Sequence, residues 1–128
     1  MTVRPRTVRI GDSIVEAAKL MRGEDSGIAP IVDGGRLVGV LTDRDIAVRI
    51  VAEGRDPTRT QVEEIASTDV VTIDPEQDLD DALQLMTQHH LRRLPVVEED
   101  GTLIGIVDRR DVTRRRASEI VGEMSQRA

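Results

Sequence analysis

The sequence predicts an α/β protein of the α+β type, built from two copies of one strand-helix-strand-strand-helix unit that pack with approximate two-fold symmetry. Three observations predict this fold. The segments 13–21 and 78–86 match each other at an offset of 65 residues. Both have apolar residues at helical spacing, and each is followed by two β-branched runs that flank a glycine-containing turn. Similarity at a fixed offset indicates a repeated structural unit.

The repeat covers nearly the whole chain. At the same offset, Thr7-Val8 aligns with Thr72-Ile73, and Pro30-Ile31-Val32 aligns with Pro95-Val96-Val97. One extra residue in the second turn raises the offset to 66, which aligns residues 37–41 with 103–107 and Asp45 with Asp111. We therefore expect a first repeat at residues 1–58, a short linker helix at 59–66 and a second repeat at 67–124.

The first helix of each unit is indicated by an apolar face at the i, i+3, i+4, i+7 spacing. These residues are Ile14, Ala17, Ala18 and Met21 in the first unit, and Leu79, Ala82, Leu83 and Met86 in the second. Ser13 and Asp78 precede the two faces, and both residue types are favoured N-caps. An acid three residues later, Glu16 or Asp81, predicts a capping box at each start.

A hairpin and a second helix complete each unit. The turns at 33–35 and 99–101 contain glycine and separate β-branched runs, which predicts hairpins. The second helices are expected to begin near Thr42 and Asp108. Between the units, residues 54–57 break the helix, and the segment Thr60-Gln61-Val62-Glu63 is typical of a capping box that opens a linker helix.

Each unit would be marginally stable alone, because a segment of about 60 residues with one half-buried sheet leaves apolar area uncovered. We therefore expect the two units to pack against each other. Approximate two-fold symmetry then places two equivalent clefts where the units meet. Such concave sites between packed units commonly bind small ligands.

Composition excludes several classes of function. The 128 residues include no cysteine, which excludes a disulfide, a thiolate nucleophile or a cysteine zinc site. Phe, Tyr and Trp are absent as well, so a bound base would have to lie between aliphatic side chains. The net charge of -6 argues against a nucleic-acid-binding protein. Because no stretch is apolar for long enough to cross a membrane or to serve as a signal peptide, we expect a cytoplasmic protein.

The segment 39–45 is the most informative motif. Here a predicted strand ends at a helix start that carries a hydroxyl group, Thr42, and a carboxylate three residues later, Asp45. A carboxylate can accept hydrogen bonds from both vicinal hydroxyls of a ribose, and free amides at a helix start suit a phosphate. The alternative is that Thr42 and Asp45 form a capping box and bind no ligand.

This segment resembles the ribose-binding signature of CBS repeats, Gly-h-h-Thr-x-x-Asp with h apolar, and residues 28–32 resemble the strand that precedes the family's hairpin. The resemblance covers roughly residues 1–116. Residues 41–46, with 54–57 following, are similar to stand-alone actinobacterial CBS pairs of the hypoxic-response type. The resemblance implies that Asp45 binds ribose, that Thr42 and Arg44 lie near a phosphate, and that Thr7, Ile28, Ala29 and Pro30 enclose an adenine.

The second copy of the motif departs from this signature. It carries Asp108 where the signature has threonine, although Asp111 matches the ribose-binding aspartate. A second carboxylate beside a phosphate would repel it, so an anionic nucleotide is expected to bind this site less well. A neutral or cationic ligand, adenosine or S-adenosylmethionine, would be affected less. The residues expected at this weaker site are Asp108, Asp111, Arg93, Leu94 and Pro95.

A basic stretch lies at the end of the second repeat's first helix. Residues 89–95 resemble a segment that some CBS repeats use against phosphates across the central cleft, which implies phosphate contacts for His89, His90 and Arg92. Alternatively, these cations only complement the helix dipole. Adjacent histidines do not share a helix face, so a metal site is not expected. The run Arg114-Arg115-Arg116 is interpreted as a solvated helix face, because Glu119 and Glu123 follow it.

The resemblance implies a regulatory module with no catalytic role and no resident cofactor. We expect it to bind an adenosyl nucleotide such as AMP or ATP, or S-adenosylmethionine, and to act in trans on an unidentified effector protein. Exposed apolar helix faces predict a homodimer. The alternative function is a ligand-free module for protein interaction or dimerisation.

Overall fold

Two three-stranded sheets and three helices organise residues 2–112, the part of the chain that this computed structural model describes. The strands are β1 (Thr2–Val3), β2 (Val8–Arg9), β3 (Ile28–Asp33), β4 (Arg36–Thr42), β5 (Arg93–Val97) and β6 (Leu103–Asp108). The helices are α1 (Ile14–Glu24), α2 (Asp43–Asp45, continued by a π-helical segment at Ile46–Val51) and α3 (Leu79–His89). The end of the predicted second repeat, with Arg114–Arg116 and the two following glutamates, lies outside the described residues.

The first repeat has the predicted topology. Its sheet has the order β2-β3-β4, with β2 parallel to β3 and β3 antiparallel to β4. The β3-β4 hairpin turns through Gly34 and Gly35, whose φ angles are 59° and 82°. Two successive positive φ angles favour glycine, because a Cβ would be strained there. The prediction of a hairpin at 33–35 is therefore confirmed.

The sheet of the second repeat differs from the prediction at one edge. Its order is β1-β6-β5, so its third strand comes from the N-terminus of the chain. Thr2 lies opposite Ile106, and the N–H of Arg4 donates to the Ile104 carbonyl at 3.4 Å. The predicted first strand of this repeat is reduced to a single parallel bridge between Ile73 and Val96. The N-terminal residues thus join the two repeats.

The helix starts confirm the predicted N-caps. The Ser13 hydroxyl accepts a hydrogen bond from the Glu16 N–H at 3.4 Å, and Asp78 Oδ1 accepts one from the Asp81 N–H at 2.8 Å. The two helices also end alike, on Asp25 and His90, both in the left-handed conformation. The equivalent C-caps show that residues 65 positions apart in the sequence occupy equivalent positions in the structure.

The linker is shorter than predicted. It contains one 3-10 turn, Val62–Glu64, which is capped one residue later than the sequence suggested, since the Gln61 N–H donates to Glu64 Oε2 at 2.6 Å. The Thr60 hydroxyl donates instead to the Asp56 carbonyl at 2.8 Å, which ties Thr60 to the preceding turn. The predicted capping acid, Glu63, instead accepts a hydrogen bond from the Gly11 N–H at 3.0 Å.

Each repeat has its own apolar core. Residues of α1, β3 and β4 pack with Val62 and Ile65 of the linker, whereas residues of α3, β5 and β6 form a second cluster. The repeats are joined where their hairpins meet. The N–H of Leu37 donates to the Gly101 carbonyl at 3.0 Å, and the N–H of Leu103 donates to the Gly35 carbonyl at 3.1 Å. The expected contact between the two units is confirmed, although through hairpin backbones.

Candidate functional site

A cleft of about 300 Å³ lies between the two repeats. Both repeats and the N-terminal segment contribute to its wall. The first repeat and the segment before it supply Pro5, Arg6, Leu20, Glu24, Asp25, Ser26, Ile28 and Pro30, and the second supplies Arg93, Ile106, Asp108, Arg110 and Asp111. Because its wall is shared, a molecule bound there would contact both repeats at once.

The strand β3 provides the apolar part of this wall. Side chains alternate along a strand, so Ile28 and Pro30 lie on the cleft side while Ala29 and Ile31 are fully buried in the core of the first repeat. Ala29, which the resemblance places around an adenine, is 0% exposed and does not line this cleft, so its role in ligand binding stays a prediction. The same alternation buries Leu94 in the second core.

The second copy of the signature lies inside this cleft. Asp108 ends β6, and Asp111 follows in the helical residues 109–112. Arg93 Nη2 lies 3.1 Å from Asp108 Oδ2, and these two side chains are only 18% and 17% exposed. The Arg110 N–H also donates to Asp108 Oδ1 at 2.8 Å, and its Nε lies 3.8 Å from that oxygen. Asp108 therefore lies against two arginines, so it does not face the cleft as an unpaired carboxylate.

The remaining charges of the cleft belong to the N-terminal segment and α1. Arg6 Nε lies 3.7 Å from Glu24 Oε1, and Asp25 follows as the C-cap. Sequence reasoning missed Arg6, which reaches this position because β1 crosses to the sheet of the second repeat. In all, three arginines and four acidic residues surround the cleft. This mixed set can satisfy polar groups of a ligand but supplies no net positive charge.

The first copy of the signature forms a complete capping box. The Thr42 N–H donates to Asp45 Oδ2 at 2.9 Å, and the Asp45 N–H donates to the Thr42 hydroxyl at 3.1 Å. The predicted capping box is thus confirmed, and it is compatible with a ligand, since a carboxylate has two oxygens and about four acceptor positions. Neither residue, nor the exposed Arg44, lines the cleft described above.

The repeats nevertheless place their signatures equivalently. Ile28 lies opposite Thr42 on the β3-β4 hairpin, and Arg93 lies opposite Asp108 on the β5-β6 hairpin. The resemblance predicts that Ile28 and Pro30 lie with the first signature. The structure places them in the wall of the second, because the strands of one repeat close the cleft that holds the other signature.

The equivalence predicts a second cleft beside the first signature. The offset of 65 makes His89 and His90 the counterparts of Glu24 and Asp25, so the rim that is acidic in one cleft would be basic in the other. His89 lies in the last turn of α3 and His90 is its C-cap, which is the position that the helix-dipole interpretation expected. Arg92 is exposed, Pro95 is buried, and Thr7 is half-buried just before β2.

Two matched units and a shared cleft define a tandem-repeat ligand-binding module. A family model for the CBS domain matches residues 1–52 and 62–118, so the chain belongs to the CBS family. It is a tandem CBS pair of the hypoxic-response type. Hypoxic response protein 1 of Mycobacterium tuberculosis is 38% identical over 80% of this chain and 72% of its own length. A solved structure of Hypoxic Response Protein I has 36% identity and a TM-score of 0.81, covering 89% of this chain and 92% of its own.

Other relatives support the same assignment. The CBS domain-containing protein YhcV of Bacillus subtilis is 49% identical over 84% of this chain and 75% of its own length. The solved structure of CBSX2 with AMP has 29% identity and a TM-score of 0.78, covering 92% of this chain and 93% of its own. The CBS pair of MJ0100, solved with 5-methylthioadenosine and S-adenosyl-L-methionine, has 28% identity and a TM-score of 0.76, covering 91% and 93%.

The described residues contain neither a clustered metal site nor a membrane-spanning helix. The solved hypoxic response protein carries two coordinated zinc ions. Within residues 2–112 of the present chain, no group of three or more His, Asp or Glu side chains is placed to hold a metal ion. In the same residues, every helix is too short or too polar to span a bilayer.

Proposed function

We propose that this CBS pair is a regulatory module that binds an adenosyl ligand between its repeats and carries out no catalysis. The observation that supports this proposal is the shared cleft, whose wall combines the signature carboxylate Asp111 with apolar strand residues of the other repeat. AMP in CBSX2 and the two adenosyl compounds in MJ0100 support the same ligand class. We assign ribose binding to Asp45 at the first signature and to Asp111 at the second.

The purine would be held by aliphatic side chains. Leu20, Ile28, Pro30 and Ile106 line the described cleft, and the whole chain lacks aromatic residues. Burial of apolar ligand area contributes about 25 cal/mol per Å², so these walls can stabilise a purine without aromatic stacking. The carboxylate then provides specificity for a ribose, because it accepts hydrogen bonds from both vicinal hydroxyls.

Ligand binding is coupled to the arrangement of the repeats. Each repeat has a separate core, and the hairpins are joined by two backbone hydrogen bonds. A ligand that contacts both repeats stabilises the arrangement that closes the cleft, provided that its affinity differs between two arrangements. The effector is then a separate cytoplasmic protein that recognises one of them. Recognition of one arrangement by a separate protein is what makes the regulation act in trans.

Calorimetric titration tests the proposal. We expect the intact chain to release or absorb heat on binding at least one of AMP, ATP, adenosine and S-adenosylmethionine, with a dissociation constant in the micromolar range, about -8 kcal/mol. Absence of heat from all four, at protein concentrations that detect micromolar binding, would support the ligand-free interaction module. The complete capping box is the observation behind that alternative, because it gives Thr42 and Asp45 a structural role that needs no ligand.

We also propose that two copies of the pair associate through α2. Val48 and Val51, in the π-helical segment, are 50% and 72% exposed, which is unusual for large apolar side chains on one short helix. Burying them against a second copy would remove this apolar area from water.

The dimer proposal predicts that Val51→Glu converts the protein from dimer to monomer in multi-angle light scattering, because the interface would bury an unpaired charge. Glu53→Gln, an exposed change two residues away, is the control and should leave the dimer mass unchanged. A wild-type protein with the mass of a monomer would contradict this proposal.

A further inference from the structure

The two hairpins carry different residue pairs at the same position of the fold. In the first repeat, Ile28 lies opposite Thr42 at the end of the hairpin. In the second, the corresponding pair is Arg93 and Asp108, joined at 3.1 Å. An apolar-hydroxyl pair in one repeat is thus an ion pair in the other. Because both charged residues line the cleft, the difference changes the chemistry that a ligand meets.

The ion pair lies in a partly buried place. Its two side chains are less than one-fifth exposed. Water screens an ion pair weakly at such a position, and an arginine or aspartate left without its partner there is strongly unfavourable. A ligand must therefore leave the pair intact or provide a full replacement for one of its members.

The other two arginines of the cleft also lie near carboxylates, but Arg6 and Arg110 are 66% and 64% exposed, so these two ion pairs are weaker than the pair of Arg93 and Asp108. Arg6 lies 3.7 Å from Glu24, and Arg110 lies 3.8 Å from Asp108. Each of the three arginines that line the cleft thus has a carboxylate within 4 Å. A phosphate group would compete with these carboxylates for the arginines and would lie close to them. An uncharged or cationic group would neither compete with the carboxylates for the arginines nor be repelled by the carboxylates.

We infer that Asp108 is a specificity-determining residue: by holding Arg93 and Arg110, it makes the second cleft select an uncharged or cationic adenosyl compound and reject nucleotide phosphates. This inference rests on the proposed function, since it assumes that the cleft binds the adenosyl class. It assigns the phosphate-bearing ligands to the first signature, where Thr42 replaces the aspartate. The two clefts of one chain then bind two different classes of adenosyl ligand.

The test measures AMP and adenosine affinities for the second cleft alone. Asp45→Ala serves as the background, because it removes the ribose carboxylate of the first signature. In this background we expect adenosine to bind at least 10-fold more tightly than AMP. Adding Asp108→Thr, which introduces the residue of the first signature, releases Arg93 for a phosphate. The ratio of AMP to adenosine affinity should then rise at least 10-fold, mainly through tighter AMP binding.

Two further variants separate charge from folding. Arg93→Ile with Asp108→Thr reproduces the pair of the first repeat, so it should fold even if Asp108→Thr alone does not. It should weaken the preference for adenosine but gain less AMP affinity than Asp108→Thr, because no arginine is released. Arg93→Ile alone leaves Asp108 with one arginine fewer, so AMP should bind more weakly than it does to the Asp45→Ala background. Together the variants form a double-mutant cycle that measures the coupling of the pair.

The outcomes distinguish the inference from the proposed function. If adenosine binds and the AMP to adenosine ratio is the same in the background and in both Asp108→Thr variants, the inference is wrong while the proposed function stands. A background that prefers AMP would also overturn it. If none of AMP, ATP, adenosine and S-adenosylmethionine binds the wild-type chain or any variant, the proposed function fails and the inference fails with it.

Discussion

Replacing Asp45 with alanine is expected to weaken AMP binding about 100-fold, which corresponds to about 2.7 kcal/mol. The reason is that hydrogen bonds to a charged group contribute about 1.5–3 kcal/mol, and the carboxylate is expected to accept bonds from the ribose hydroxyls. Isothermal titration calorimetry of the variant with AMP measures the loss. Asp111→Ala should reduce AMP affinity less, because we assign the phosphate ligand to the first signature.

The control for this prediction must remove a comparable bond at a helix start, because Asp45 Oδ2 completes the α2 capping box by accepting from the N–H of the N-cap Thr42. Asp78→Ala is suitable, because it removes a capping bond of 2.8 Å at the start of α3, where Asp78 is exposed and outside the described cleft. Both changes should lower the free energy of unfolding by about 0.5–2 kcal/mol. Only Asp45→Ala should lower AMP affinity. A larger AMP loss in Asp111→Ala would invert the assignment.

Leu41→Ala is expected to lower the free energy of unfolding by about 2–5 kcal/mol. Leu41 is 0% exposed and belongs to the core of the first repeat, so its truncation leaves a cavity between α1 and the sheet. Urea denaturation followed by circular dichroism measures the change. Val38→Ala on the same strand is the control, because Val38 is 37% exposed.

The same experiment tests whether the two repeats unfold cooperatively. Since the two cores are separate but joined by hairpin bonds, Leu41→Ala should lower the midpoint of a single transition. A loss below about 1 kcal/mol, close to that of Val38→Ala, would contradict the assignment of Leu41 to a packed core.

Local patterns in the sequence predicted the parts of the fold that depend on neighbours along the chain. Helices α1 and α3 follow from apolar residues three and four positions apart, and their N-caps from Ser13 and Asp78. The hairpin at Gly34 and Gly35 follows from a turn that requires positive φ angles. These signals are encoded within a few residues, which is why the sequence alone revealed them.

Contacts between distant residues could not be predicted in the same way. The pairing of β1 with β6 joins residues about a hundred positions apart, and no local pattern in Thr2–Val3 specifies which sheet receives it. At the linker, the local pattern was misleading because the predicted capping acid, Glu63, accepts a hydrogen bond from the distant Gly11 N–H, and Glu64 completes the cap one residue later. Long-range partners decide both cases.

The candidate site, too, could be predicted only in part from the sequence. Repeat alignment identified Asp45 and Asp111, and it noted Asp108 as a departure from the signature. It did not reveal that Arg93 lies opposite Asp108. The signal was present, because an offset of 65 relates Ile28 to Arg93 and an offset of 66 relates Thr42 to Asp108. Ile28 and Thr42 lie opposite each other in the first hairpin. Charge neutralisation in the cleft therefore emerged only from the structure.

The most direct test of ligand binding between the repeats is a calorimetric comparison of the wild-type chain with the double variant Asp45→Ala/Asp111→Ala. Both proteins are titrated with AMP and with adenosine, after circular dichroism confirms that they are folded. We predict measurable binding of at least one compound to the wild type and none to the double variant. Equal affinities for the two proteins, or no binding to the wild type, would contradict ribose recognition by the signature carboxylates.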